Sequence, residues 1–198
     1  MTTTHGQAPG THAPNVIYWT ELPDKTGETM IERQGTFADL VGRLRKVGTF
    51  PSKEQCPWLK MATFGQKRSK KNSRRTNENV VCIYGVELDY DGEKVSMETA
   101  LEKLQNGGIR AALYPSPSYS SEKPRWRVIC PTARQQSPTV RARLVARVNG
   151  VLGGIAANES FTLSQGFFFG ATPTNDYRVL VTFDDPEDGT CVDDMPEL

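Results

Sequence analysis

Three acidic residues, Glu87, Asp89 and Asp91, alternate at the end of the apolar segment 80–86. Because side chains alternate between the two faces of a β-strand, all three carboxylates point the same way, with neighbouring Cα atoms about 6–7 Å apart. Like charges on one face repel one another, and a divalent cation reverses that balance, since Mg²⁺ and Mn²⁺ prefer oxygen ligands. The pattern predicts a metal-binding strand end; the alternative is an acidic strand end on a solvated face.

Two arginines alternate in the same way further along the chain. Arg125 and Arg127 fall on one face of a predicted strand, with Trp126 and Val128 on the other. Two guanidinium groups on one face are suited to bidentate binding of a triphosphate. The preceding turn adds hydroxyl and backbone donors at Ser118, Ser120 and Ser121. Together with the acidic strand, this predicts a metal–nucleotide site, although paired surface arginines by themselves are common.

A strongly basic segment covers residues 67–75, in which six of nine residues are Lys or Arg and none is apolar. Packing cannot order such a segment, so we expect a mobile loop. Its charges would neutralise the phosphates of a template strand, and an ordinary solvated loop is the alternative. The cations are Lys67, Arg68, Lys70, Lys71, Arg74 and Arg75.

Charge is distributed unevenly along the 198 residues, which are enough for one domain. Residues 184–198 hold seven acids and no Lys or Arg, so residues 1–183 carry about +8 although the whole chain carries +1. A basic body suits a nucleic-acid or nucleotide partner, and we expect the acidic end to be a linker to a further domain. The sequence shows neither a membrane-length apolar run nor a secretory signal, which predicts no membrane association.

Histidine is confined to a leader, residues 1–14, that contains His5 and His12 and is predicted to be disordered. The remaining chain has no histidine, which removes Ser-His-Asp and Cys-His catalysis and disfavours a zinc enzyme. The four cysteines share no short spacing. Cys82 and Cys130 lie inside apolar segments, so we expect them to be buried free thiols and the protein to belong to reducing cytoplasm.

Apolar periodicity predicts the elements that must position these residues. Helices are expected over 36–47, from 96 to the glycines at 107–108, and from 137 to the glycines at 153–154. Strands are expected at 16–19, 80–86, 109–114, 125–130, 163–170 and 177–183. This order predicts one α+β domain over residues 15–183 with a mixed or antiparallel sheet.

Three segments resemble motifs of the archaeo-eukaryotic primase superfamily, in particular the primase-polymerase domains fused to helicases in phages, plasmids and other mobile elements. They are Gly85–Gly92, Pro115–Tyr119 running into Glu122–Arg127, and Glu159–Gly170. The resemblance covers roughly residues 55–185. It implies an RRM-like catalytic core with flanking helices.

The resemblance also implies a function, template-directed nucleotidyl transfer in the bacterial cytoplasm, with a single-stranded DNA template, NTP or dNTP substrates and a fused or separate helicase. Two Mg²⁺ or Mn²⁺ ions are expected on Asp89, Asp91 and an additional acid, with Glu87 on the same strand face as a candidate. The residues expected at the nucleotide are Ser118, Tyr119, Ser120, Lys123, Arg125 and Arg127.

Two positions depart from the family pattern. Tyr119 stands where many members have a phosphate-binding histidine, and the third motif offers Glu159 as its carboxylate, with Asp176 a poorer candidate. A catalytically degenerate module that binds single-stranded DNA, an origin or a helicase therefore remains the alternative function. A metal-dependent nuclease needs only the carboxylates and leaves the arginine pair unexplained.

Overall fold

Three amphipathic segments form the helices of residues 15–196, the part of the chain described by the computed structural model. They are α1 (Phe37–Arg45), α2 (Met97–Asn106) and α3 (Arg141–Leu152). A capping box joins Thr36 and Asp39 at the start of α1, and the Ser96 hydroxyl accepts from the Thr99 amide at the start of α2. These boundaries lie close to the predicted helices, except that a 3₁₀ turn, Pro138–Val140, precedes α3.

The strands differ more from the prediction, because tertiary pairing sets their lengths. The strands in residues 15–196 are β1 (Ile17–Leu22), β2 (Ile31–Gly35), β3 (Trp58–Lys60), β4 (Ala62–Phe64), β5 (Val80–Tyr90), β6 (Ala112–Pro115), β7 (Trp126–Gln136), β8 (Phe167–Phe168) and β9 (Leu180–Val181). The predicted strands 163–170 and 177–183 are wrong in extent, since only two residues of each pair with a neighbour. The acidic strand is longer than predicted, because β5 continues through Glu87 and Asp89 to Tyr90 and ends just before Asp91.

The strands form two sheets whose paired strands all run antiparallel. One has the order β2-β1-β3-β8 and the other the order β4-β5-β7-β6-β9. In the second sheet the chain runs β5-α2-β6-β7-α3, and β7 lies between β5 and β6. This split βαββα arrangement confirms the α+β class with flanking helices and resolves the sheet as antiparallel.

Apolar cores cover both faces of the five-stranded sheet. Helices α2 and α3 pack on one face, against Leu88 and Val128 among others. Helix α1 and the four-stranded sheet cover the other face, against Ile129 and Tyr114. A register irregularity between Ile83 and Gly85 changes which positions of β5 face each core, since Ile83 and Val86 both pack in the core under α2 and α3. A Cβ at Gly85 would lie 2.6 Å from the Cys130 carbonyl oxygen.

The acidic end of the chain packs against the domain. Glu187 accepts from the Ala38 amide at 2.7 Å and pairs with Arg110 at 2.9 Å, and Asp193 accepts from the Ala133 amide at 2.6 Å. Glu187, Asp193 and Asp194 therefore attach this part of the acidic segment to the domain, and the role of residues 184–198 as a linker stays a prediction. The helicase-type domain after it stays a prediction.

The leader 1–14, with both histidines, lies outside the described residues. Cys82 and Cys130 are buried free thiols, as predicted, and Cys56 and Cys191 are buried free thiols as well. Within residues 15–196, no helix has the length and apolar character needed to cross a membrane.

Candidate active site

A cavity of about 210 Å³ opens where the end of β5 meets the start of β7. Antiparallel pairing sets Asp89 opposite Arg127, so the last carboxylates of one strand lie beside the first arginines of its neighbour. The charged side chains that line the cavity are Lys53, Asp89, Asp91, Arg125, Arg127 and Glu159. The segment after α3 contributes Glu159 on a 3₁₀ turn, Asn158–Phe161.

Asp89 is held rigidly at the bottom of this cavity. Its amide donates to the Ser160 hydroxyl at 2.9 Å, and its carbonyl accepts from the Ala157 amide at 2.8 Å. Both bonds attach β5 to the segment that carries Glu159. The Asp89 side chain is 7% exposed, so the relative positions of these two acids are set by backbone geometry.

The electrostatic environment of Asp89 is unusual for a carboxylate. Its Oδ1 lies 3.1 Å from Arg127 Nε, yet neither atom has an aligned hydrogen bond to any residue in 15–196. Burial raises the pKa of Asp89 to about 6; Arg127 opposes that shift, and Asp91 and Glu159 add to it. A cation that joined these acids would relieve both the unpaired oxygen and the mutual repulsion.

The donor chemistry of the cavity fits a hard divalent cation. Asp91 and Glu159 are exposed and supply further carboxylate oxygens beside the unpaired oxygen of Asp89. In residues 15–196, no three His, Cys, Asp or Glu side chains are clustered closely enough to hold a metal ion. Asp89, Asp91 and Glu159 thus line one cavity without forming a compact cluster of ligands.

Glu87 does not line the cavity, which contradicts its predicted place in one metal site with Asp89 and Asp91. Its carboxylate is fully buried, accepts from Lys60 Nζ at 2.7 Å, from Arg141 Nη2 at 2.9 Å and from the Met61 amide. Burial alone would raise its pKa, but Lys60 and Arg141 together hold the pKa of Glu87 below its ordinary value. All its oxygens are used, so the side chain is a structural anion.

Both predicted arginines line the cavity, but they differ in exposure and in bonding partners. Arg127 is 5% exposed, donates to the Phe168 carbonyl at 3.2 Å and stands 5.4 Å from the centre of the Phe167 ring. Arg125 is about one-third exposed and binds Glu93, with Nε–Oε1 at 2.8 Å. Arg125 is thus the more accessible of the two for a ligand that enters from solvent.

The serine-rich turn is divided between two places. Ser116 and Ser118 line the cavity, where the Ser118 amide donates to the Ser116 hydroxyl at 3.2 Å. Tyr119 and Ser120 instead line a separate depression with Asp176. A tight turn explains this divergence, because consecutive side chains there point in different directions.

Besides Glu87, four residues named in the sequence analysis lie outside the cavity: Tyr119, Ser120, Lys123 and Asp176. The Tyr119 hydroxyl accepts from Arg178 at 3.3 Å, which places it away from any nucleotide bound between the arginines. Lys123 is exposed and lies 3.5 Å from Glu93. The position of Asp176 in the separate depression leaves Glu159 as the third acid of the cavity.

The basic segment 67–75 is organised by polar bonds that a packing argument does not predict. Arg74 donates to the Gly65 carbonyl at 3.1 Å, and Asn79 donates to the Arg74 carbonyl at 2.7 Å. The exposed cations of the segment are Lys67, Arg68, Lys70 and Lys71. Arg75 lies over the Trp58 ring at 4.8 Å, which brings this segment to the rim of the cavity.

Sequence reasoning did not assign Lys53, Trp58, Ser116 or Gln165 to the site, although all four line the cavity. Lys53 and Trp58 come from an irregular stretch whose place in the fold no periodicity reveals. Gln165 lies within the third motif segment, Glu159–Gly170, which is the sequence signal that could have identified it.

No protein-family description and no curated protein matches this chain. Among solved structures, the chain is similar to the AEP domain of the primase-polymerase (PrimPol) of cyanophage S-2L. The TM-score is 0.47 at 9% sequence identity, and the alignment covers 88% of this chain and 84% of that one.

Proposed function

We propose that this chain catalyses template-directed nucleotidyl transfer, as a DNA primase-polymerase that serves replication of a phage, plasmid or other mobile element. One observation carries the proposal: Asp89, Asp91 and Glu159 share a single cavity with Arg125 and Arg127. Carboxylates for metals beside guanidinium groups for phosphates are the two halves of a nucleotidyl-transfer site.

The arginines and the serine turn would bind the triphosphate of the incoming NTP or dNTP. Arg125 would exchange Glu93 for phosphate oxygens, which is a small cost because the pair is partly exposed. Arg127 is fixed by the Phe168 carbonyl and the Phe167 ring, so it would orient the phosphates with little loss of side-chain entropy. Ser118 adds a hydroxyl donor at the edge of the cavity.

Asp89, Asp91 and Glu159 would together hold two Mg²⁺ or Mn²⁺ ions. When bound, such ions stabilise the charge on the attacking and leaving oxygens of an in-line displacement. In the reaction, the 3′-hydroxyl of a primer or first nucleotide attacks the α-phosphate, the bond to the β-phosphate oxygen breaks, and pyrophosphate leaves. The chain's contribution is mainly to position the groups and stabilise charge.

A second candidate is a module that binds single-stranded DNA without catalysis. The contact between Asp89 and Arg127, and the lack of a compact ligand cluster in residues 15–196, favour it. In that case the buried ion pair would be the resting state of the molecule, and no ion would displace Arg127 from Asp89.

Incubation with single-stranded DNA, labelled nucleotides of both sugars, and Mg²⁺ or Mn²⁺ tests the proposal. We expect template-dependent products from the parent and none from Asp89→Ala/Asp91→Ala, because the metal ligands are lost. Asp176→Ala/Asp184→Ala is the matched control, since it removes two exposed acids that do not line the cavity. Absence of products from the parent, with intact strand binding, would favour the second candidate, and shortened labelled strands would indicate a nuclease.

A further inference from the structure

An aromatic pair forms part of the rim of the cavity. Trp58 and Phe168 are cross-strand partners in β3 and β8, with ring centroids 4.5 Å apart and an interplanar angle of 52°. Both are half-buried, and both line the cavity. Lys53 lies 5.6 Å from the Phe168 ring centre, and Arg75 lies 4.8 Å from that of Trp58. We call these four residues the aromatic rim.

Arg75 holds a charge that no protein anion balances. Its guanidinium donates to the Lys25 carbonyl at 3.1 Å, but no carboxylate in residues 15–196 forms an ion pair with it, and its Nε has no hydrogen-bond partner there. Burial lowers the pKa of Arg75. A partly desolvated cation without a counter-charge is costly, so an external anion would stabilise this arrangement.

Arg75 also lines a second groove, of about 430 Å³. This groove lies between residues 25–28 and 69–76, and its charged side chains are Lys25, Lys71 and Arg75 against a single acid, Glu28. Arg75 contacts Trp58, and Trp58 lines the cavity, so these two residues link the groove to the cavity.

We propose that the aromatic rim and this groove bind single-stranded nucleic acid, with one unpaired base against Trp58 and Phe168 and a neighbouring phosphate against Arg75. A base in a duplex hides its faces in the stack, so rings that accept a base favour an unpaired strand. The direction of the strand, into the catalytic cavity, rests on the proposed function; the binding chemistry rests on the rim itself.

The charge pattern favours a strand over a free nucleotide. A nucleotide bound at Arg125 and Arg127 would use the rings but not the groove beyond them. A strand uses both, because its phosphates extend along the cations while one base stacks.

Equilibrium binding of two labelled oligonucleotides tests this inference. One is a 20-nucleotide deoxythymidine strand, and the other is an abasic strand with the same length and phosphates. We expect the wild type to prefer the strand with bases, and Trp58→Ala to weaken that binding by roughly 5- to 100-fold with little effect on the abasic strand. Trp58→Phe keeps a ring and should retain most of the preference, provided that its melting temperature matches the wild type.

Arg75→Gln tests the phosphate contact without altering the rings. It should weaken binding of both strands and reduce the slope of log K against log salt by about 0.7, the value for one phosphate contact on a single strand. Arg45→Gln, a change to an exposed cation of α1 away from the rim, is the matched control and should leave the slope unchanged.

Equal binding of the two strands by the wild type would overturn the inference. So would a Trp58→Ala variant that loses affinity for labelled dNTP while strand binding is intact, because the base would then belong to the incoming nucleotide. Strand binding is measured without nucleotide and with EDTA present, so its outcome does not depend on catalysis. The inference therefore survives even if nucleotide incorporation, and with it the proposed function, fails.

Discussion

Glu87 and Asp89 lie two residues apart on β5, yet their carboxylates have opposite electrostatic environments. Glu87 is fully buried and binds Lys60, Arg141 and the Met61 amide, which hold its pKa low. Asp89 has one oxygen without an aligned hydrogen bond and a pKa raised to about 6. A carboxylate whose oxygens all have hydrogen-bond or ion-pair partners stabilises the fold. A carboxylate at a cavity with an oxygen that lacks a hydrogen bond is available to a ligand.

The buried cluster of Lys60, Glu87 and Arg141 also supports the cavity. Arg141 donates to the Ser160 carbonyl at 2.7 Å, and the Ser160 hydroxyl accepts from the Asp89 amide at 2.9 Å. The satisfied charges therefore fix the turn that carries Glu159 against the strand that carries Asp89. The two regions differ in role because only one of them reaches the surface.

The largest expected effect is on stability, from Glu87→Ala. Removal of the carboxylate leaves Lys60 and Arg141 buried without their anion, which should lower the free energy of unfolding by about 3–5 kcal/mol. Urea denaturation measures the change. Asp91→Ala, at an exposed position, is the control and should stay within about 0.5 kcal/mol of the parent. Equal losses of unfolding free energy for the two variants would contradict the structural role assigned to Glu87.

Asp89→Asn should raise the free energy of unfolding, the opposite of the effect expected for Glu87→Ala. The pKa of Asp89 is raised from 3.8 to about 6, so the folded state holds its proton more tightly than the unfolded chain, and stability contributed by that proton is lost as pH rises from about 4 to 6. With divalent ions removed by EDTA, the variant should exceed the parent by about 1–3 kcal/mol at pH 8. The difference should vanish below pH 4, and a pH-independent difference in chemical denaturation would contradict the environment described for Asp89.

Arg125→Gln extends the comparison to the cations. Arg125 is accessible at the cavity, so its loss should weaken nucleotide binding by about tenfold, the effect of one charge-assisted hydrogen bond. Lys123→Gln is the control, because Lys123 is exposed and does not line the cavity, and it should change the affinity less than twofold. Titration with a labelled nucleotide gives both affinities. An equal loss of affinity for Lys123→Gln would indicate that Lys123 contacts the nucleotide.

Glu93→Gln should give the smallest effect. The change frees Arg125 from its carboxylate partner, and nucleotide affinity should rise by up to about fivefold, since partly exposed ion pairs contribute about 1 kcal/mol or less. The same titration measures it. Lower affinity would mean that Glu93 orients Arg125 for the ligand instead of competing with it.

Alternation along the sequence indicated which charged residues could lie together. Asp89 and Arg127 are on paired strands, Asp91 and Arg125 lie just beyond the strand ends, and all four line one cavity, while their roles stay predictions. Helix boundaries were also close, because capping residues and apolar periodicity act within a few residues. The short strands β3, β4, β8 and β9 were missed or misjudged in extent, because pairing partners distant in sequence define them.

The sequence by itself determined which residue types alternate on each strand, and hence the chemistry that the strand ends can offer. Only the tertiary structure decided that Glu87 is enclosed by Lys60 and Arg141 while Asp89 reaches the cavity, and that Trp58 comes beside Phe168 at its rim. The physical reason is burial: the same carboxylate is a structural anion or an available ligand according to the charges and solvent that distant segments place around it.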